Sequence, residues 1–253
     1  MALSTASGQD SSSSVYKLNW DTDKYTMGIG AGILIGSYFV DRELTVITEA
    51  DVNNLSRDDV FAWDRVAIGQ FSESASSLSD VFRDGILLAP VALMLGKRGR
   101  KEWQLITYMY AETVIVTSGI TTMTKATSRR VRPYAYDPEV SLEFKLQKNT
   151  RKSFYSGHTS HVASLSFLTA SIFEDLYPDS PWKPVVWITA IAAPAVTAVA
   201  RVKGGRHFPT DVIVGYGVGA LIGYYIPKLH KVQQDSPMSI MPNGLGARLT
   251  YVF

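Results

Sequence analysis

Three short stretches of this chain hold the residue types that handle phosphate: Lys125-x6-Arg132-Pro133, Ser156-Gly157-His158 and Arg201-x5-His207-x3-Asp211. A phosphoryl group in transfer spreads negative charge over its equatorial oxygens, and fixed cations and hydrogen-bond donors must meet that charge. Lys125, Arg132 and Arg201 supply the cations. Arginine presents a planar, permanently charged fork that matches two oxygens at once, while lysine adds a point charge. The backbone around Ser156 and Gly157 offers further donors, and the glycine lets the main chain approach an anion closely. Two histidines remain, His158 and His207, with imidazoles that titrate near neutrality and so suit attack or proton transfer.

Taken singly, each piece has a plainer reading. Lys-x6-Arg describes many solvated charge pairs, and Arg129 and Arg130 alongside could mark a basic loop. Ser-Gly-His alone is a turn or helix start, His207 alone a satisfied core histidine, and Asp211 a helix cap after Pro209 and Thr210. The joint order and spacing favour the functional reading. His161 and His230 fall in no motif and read as structural or surface residues.

The three stretches resemble the signature motifs of the type 2 phosphatidic acid phosphatase superfamily, a group that includes bacterial acid phosphatases and vanadium haloperoxidases. Two positions depart from its pattern: Tyr155 stands where proline is usual, and Ala200 where serine is usual. The resemblance spans residues 125 to 211, about a third of the chain. It implies that His207 is the nucleophile and forms a phosphohistidine, that Asp211 orients its ring, and that His158 protonates the leaving oxygen and later activates water. It implies phosphate binding by Lys125, Arg132, Ser156, Gly157 and Arg201. On this reading the activity is hydrolysis of phosphate monoesters or diphosphates without metal or other cofactor, with vanadate as a phosphate-mimicking inhibitor. Two alternatives stay open, a vanadium-dependent haloperoxidase using the same basic cage and a non-catalytic phosphate or lipid binder. The sequence contains no His-Glu-x-x-His and no cysteine.

A scaffold must bring these distant stretches together. Periodicity predicts helices over roughly 24 to 40, 59 to 75, 79 to 96, 101 to 124, 158 to 176, 183 to 201 and 210 to 230. That makes an all-α bundle of about six core helices with the active site at helix ends and loops. Leu165, Leu168, Ile172 and Leu176 form one apolar stripe, with His158 at that helix's N-terminus, where the dipole and free amides favour an anion. The division expected is a polar flexible leader at 1 to 14, a helical domain at 15 to 231 and a tail at 232 to 253, in which Leu249, Tyr251 and Phe253 alternate like a strand.

The segment 128 to 157 carries seven basic residues against three acidic ones, and reads either as an anion-attracting rim or as a solvated loop. A net charge of +2 without a stacking-aromatic motif gives no support to a nucleic-acid partner. The partner expected is a phosphorylated lipid or a small phosphate ester, with Trp182, Trp187, Tyr134, Tyr136, Phe154, Tyr155 and Phe208 as apolar area near the motifs. Apolar runs occur, but Glu112 interrupts one and Pro194 another, and the mean hydropathy is only +0.03. These features predict a water-soluble or peripherally membrane-attached domain rather than an integral one. The resemblance further implies an exported, periplasmic bacterial enzyme, although no apolar leader marks the start of the sequence.

Overall fold

A computed structural model describes residues 14–232, 238–243 and 246–251. The helices are α1 (Trp20–Arg42), α2 (Glu49–Asn53), α3 (Glu73–Ile86), α4 (Ala89–Leu93), α5 (Lys97–Lys101), α6 (Trp103–Ser128), α7 (Leu142–Lys145), α8 (Gly157–Leu176), α9 (Lys183–Lys203) and α10 (Pro209–His230). Six of them, α1, α3, α6, α8, α9 and α10, are the long elements of an all-α bundle, as the periodicity predicts. The expected leader lies outside the described residues except for Ser14. In the tail, β1 (Met238–Asn243) and β2 (Gly246–Tyr251) pair as an antiparallel hairpin; the strand expected at the end of the chain is β2, and Phe253 lies outside the described residues.

Two predicted boundaries change. The helix expected over 59 to 75 is replaced by short 3-10 turns at Arg57–Asp59 and Asp64–Ala67. Side chains here bond elsewhere instead of leaving the backbone to wind. Arg65 Nε donates to the Val60 carbonyl at 2.8 Å, and Asp64 accepts from Thr210 N at 2.9 Å and from Thr210 Oγ1 at 2.7 Å. The helix expected over 79 to 96 begins earlier, where Ser72 Oγ accepts from Ala75 N at 3.2 Å as an N-cap, and it ends at Ile86.

The core lies where α6, α8 and α10 meet. Leu165, Leu168, Ile172 and Leu176 are all buried there, against Ile106, Met109 and Ile226. The α8–α10 seam is closer than side-chain packing allows. A Cβ on Gly215, Gly219 or Gly223 would sit 2.6, 2.2 or 2.0 Å from the carbonyl oxygens of Ser156, Ser160 and Ser164. Glycine at every fourth position therefore lets the two backbones touch. The numbering rises together along both helices, so they run parallel and start side by side. Gly219→Ala should open this seam at a cost of about 1–3 kcal/mol, lowering the Tm of detergent-solubilised protein by roughly 3–10 °C. Gly217→Ala, whose Cβ would meet nothing within 4 Å, is the matched control and should leave Tm unchanged.

The expectation of a soluble or peripheral domain is corrected by the distribution of polarity. In α10, Gly215, Gly219 and Gly223 face inward while Ile213, Val214, Leu221 and Tyr225 are exposed. In α9 the buried residues are Ala190, Pro194, Thr197, Ala200 and Arg201, while Val185, Ile188, Ile191 and Val199 face outward. These helices are small or polar inside and apolar outside, the arrangement that lipid rather than water solvates. Lys183–Lys203 and Pro209–His230 are long and apolar enough to cross a membrane, and only 33% of either apolar window is buried within the protein, unlike a soluble core helix. The features that argued against spanning have local explanations. Glu112 is fully buried, 3.5 Å from His230 Nε2, so its charge faces the bundle interior, and Pro194 is buried as well. His230, which has no motif, is likewise interior: its Nε2 lies 3.3 Å from the buried Asp23.

Candidate active site

Four helix ends converge at one end of the bundle. Lys125 lies in the last turn of α6, and Arg201 in the last turn of α9. Ser156 is the N-cap of α8, followed by Gly157 and His158, and Asp211 is in the first turn of α10. Parallel α8 and α10 thus bring two helix N-termini, with their positive dipole ends, to the same place. Ser156 N donates to the Asp211 carbonyl at 3.0 Å, stitching the two starts together. The Ser156 hydroxyl caps α8, lying 3.0 Å from Thr159 Oγ1 and accepting from Thr159 N at 3.4 Å. Gly157 sits where a Cβ would come 3.2 Å from Thr121 Cγ2 and 3.6 Å from Lys125 Cε.

The cations are held by backbone carbonyls. Lys125 Nζ donates to the Lys152 carbonyl at 2.8 Å, and Arg132 Nη2 reaches the same oxygen at 3.4 Å, which sets the two side chains together. Arg132 also donates to the carbonyls of Asn149 at 2.9 Å and Arg206 at 3.3 Å. Arg201 Nη1 donates to Ser79 Oγ at 3.2 Å, while its buried Nε has no protein partner and remains available to an anion. Arg132, His158 and Arg201 line a cavity of about 270 Å³ together with Ser76, Asp80, Tyr134, Gln147, Asn149 and Arg206.

His207 follows a tight turn at the end of α9. Gly205 has φ +66°, and a Cβ there would stand 1.9 Å from the Gln70 carbonyl, so both the conformation and the space require glycine. His207 is buried, with Nδ1 3.5 Å from Asp211 Oδ2 and no hydrogen bond formed. Burial first, and then the charges of Lys125, Arg132 and Arg201, hold this imidazole well below its usual pKa. It is therefore neutral at physiological pH, with a lone pair to use. Burial likewise lowers the Arg132 guanidinium from its usual value.

Asp211 is fully buried and fully engaged. Its Oδ2 accepts from Ser153 Oγ at 2.5 Å and from Phe208 N at 2.9 Å, and its Oδ1 from Arg130 Nη1 at 2.6 Å. Arg130 also donates from Nη2 to the buried Asp64 at 2.6 Å and lies over the Phe208 ring at 4.3 Å. The basic loop thus divides by function. Arg130 clamps two carboxylates, Arg151 pairs with Asp51 at 2.8 Å, Lys148 with Asp41 at 3.4 Å, and Lys152 with Asp41. Of this loop's cations, Arg132 lines the cavity.

The structure adds residues that the motifs do not mark. Ser76, Ser79, Asp80 and Arg83 come from α3, and Arg206 precedes the nucleophile candidate. Their signal in the sequence is a polar stripe at helical spacing on a segment otherwise rich in apolar residues. The aromatic residues near the motifs mostly pack rather than line the cavity. Tyr155 and Phe208 are buried, and Tyr155 Oη accepts from Thr121 Oγ1 at 3.1 Å. Trp182 and Trp187 belong to the start of α9, at the opposite end of that helix from Arg201.

The PAP2 superfamily profile matches residues 105–235, just over half of the chain. The chain belongs to the PAP2 superfamily. It is 33% identical over 78 residues to the lipid A 4'-phosphatase of Porphyromonas gingivalis, a match covering 30% of this chain and 29% of that protein. The chain thus spans less than a third of that curated relative. A crystal structure described as the first transmembrane PAP2 type phosphatidylglycerolphosphate phosphatase from Bacillus subtilis has 19% identity to it. That likeness covers 79% of this chain and 94% of that one, with a TM-score of 0.48.

Proposed function

We propose that this PAP2 member is a metal-independent phosphatase that removes phosphate from monoesters or diphosphates of lipids through a phosphohistidine on His207. The observation that carries this reading is a buried imidazole, 3.5 Å from Asp211, at the end of the bundle where Lys125, Arg132 and Arg201 come together. A lone pair in the middle of three cations suits attack on a group whose charge those cations stabilise. Electrostatically, His158 bears on the same ring and stands as the acid for the leaving oxygen. The apolar outer faces of α9 and α10 support a substrate drawn from lipid, and the lipid A phosphatase among the relatives agrees with that chemical class.

The test is phosphate release by the purified protein with a chelator present. The panel comprises phosphatidic acid, phosphatidylglycerophosphate, lipid A, an isoprenyl diphosphate and a soluble aryl phosphate. Release from at least one lipid, inhibited by vanadate, is expected. Halide oxidation with vanadate and peroxide, in place of any phosphate release, would move the reading to a haloperoxidase. Binding of lipid phosphate without turnover would make the chain a non-catalytic binder.

A further inference from the structure

The reaction proposed above needs a proton delivered to the leaving oxygen and later recovered from water, and His158 sits among charges that oppose this. Arg83 on α3 brings a guanidinium nitrogen to 2.9 Å from His158 Nε2, and Arg201 on α9 adds a second positive charge nearby. Burial first, and then the charges of Arg201 and Arg83, push the pKa of the ring down to about 3 even with a carboxylate beside it, so the second proton is held only when a bound anion offsets those charges. One carboxylate touches the ring. Asp80 Oδ1, one turn before Arg83, lies 2.7 Å from the same Nε2.

A single ring nitrogen cannot serve both neighbours. It donates to the carboxylate only if it carries hydrogen, and it accepts from the guanidinium only if it does not. The other contacts decide between them. Arg83 has a second acceptor, donating from Nε to Asp84 Oδ1 at 2.8 Å, and stands 3.7 Å from Asp80 itself. Among the described residues, the Asp80 carboxylate makes its one hydrogen bond to His158. The proton therefore belongs on Nε2, facing Asp80, and Nδ1 is the nitrogen left to exchange a proton with substrate.

We propose, building on the phosphatase reading, that Asp80 is the positioning residue for His158: it fixes the Nε2–H form of the ring and opposes Arg83 and Arg201, so that Nδ1 carries the transferable proton once the phosphate of the substrate is in the cavity. In the first half-reaction the P–O bond to the leaving group breaks, a P–N bond to His207 forms, and the Nδ1 proton of His158 passes to the leaving oxygen. In the second, water attacks phosphorus and the P–N bond breaks. The water's proton returns to Nδ1, so that ester and water give alcohol and inorganic phosphate. Neither step moves a proton to or from Asp80. This role explains a carboxylate in the wall of an anion-binding cavity, where its own charge repels the substrate.

The test compares two soluble esters that differ only in their need for an acid. Nitrophenolate leaves without a proton, whereas an alkoxide does not. With Asp80→Asn, kcat/KM for a simple alkyl phosphate should fall by about 30-fold or more, and for nitrophenyl phosphate by at least tenfold less. Asp80→Glu should restore part of the alkyl activity. In a His158→Ala background, Asp80→Asn should cost nothing further on the alkyl ester. Equal losses on both esters, or an Asp80→Asn effect that persists without His158, would overturn the assignment and leave Asp80 as an anchor for α3. A parent protein that hydrolyses neither these esters nor any lipid phosphate would instead overturn the phosphatase reading on which the assignment stands.

Discussion

His207→Ala is expected to lower kcat/KM for every phosphate ester by about four orders of magnitude or more, because it removes the bond-forming atom and not one stabilising contact. The surrounding cage would survive. Lys125, Arg132 and Arg201 are held by the Lys152, Asn149 and Arg206 carbonyls and by Ser79, none of which depends on the imidazole. The variant should therefore still bind substrate or vanadate, so that KM or the vanadate Kd moves little while turnover disappears. Rapid quenching of the parent with a radiolabelled ester should trap an acid-labile, base-stable label on protein, and the variant should trap none. Retained turnover in His207→Ala, or a label that survives acid, would remove His207 from the nucleophile role.

Arg130→Ala carries the second large effect, on stability as well as rate. One guanidinium spans two carboxylates, Asp64 at 2.6 Å and Asp211 at 2.6 Å, and both are essentially inaccessible to water. Its deletion strands two buried negative charges, at a cost of about 3–5 kcal/mol. Arg130→Lys should recover little, since a single ammonium cannot reproduce a fork that sends one nitrogen to each acid. Activity should fall with stability, because Asp211, 3.5 Å from His207, loses one of its three donors and the only charged one among the described residues. Thermal unfolding and phosphate release measured on the same preparations check both parts. A variant as stable as the parent would mean that Asp64 and Asp211 are satisfied without Arg130.

The sequence made the motif residues legible because their spacing is local: Lys125 to Arg132 and Arg201 to Asp211 each lie within a single stretch of chain. It did not disclose that Arg130 is a clamp, since its partners are 66 and 81 residues away. The same holds for Arg151, whose acid lies 100 residues away. The long helices were legible from periodicity, and the turns between 57 and 67 were not, because tertiary hydrogen bonds to Asp64 and Arg65 outweigh local helix preference there. The membrane character was hidden by averaging. Charged loops and polar chain ends bring the mean hydropathy to +0.03, while the information lies in which face of α9 and α10 is apolar. Ser76, Ser79, Asp80 and Arg83 were passed over for a related reason. A polar stripe reads as a wet surface until the structure turns it inward.

The glycine seam divides the site into a part that can vary and a part that cannot. With backbone against backbone at Gly215, Gly219 and Gly223, α8 and α10 have no side-chain layer that could be trimmed, swelled or slid to suit a different substrate. His158 and Asp211 ride on those two helices, so the spacing between them is cast once, by main-chain geometry. Change in what the site accepts must then come from elsewhere in the cavity wall, where Ser76, Gln147 and Asn149 present replaceable side chains. A search for altered selectivity has a natural address there, and a library aimed at the seam would lose stability without gaining new contacts to substrate.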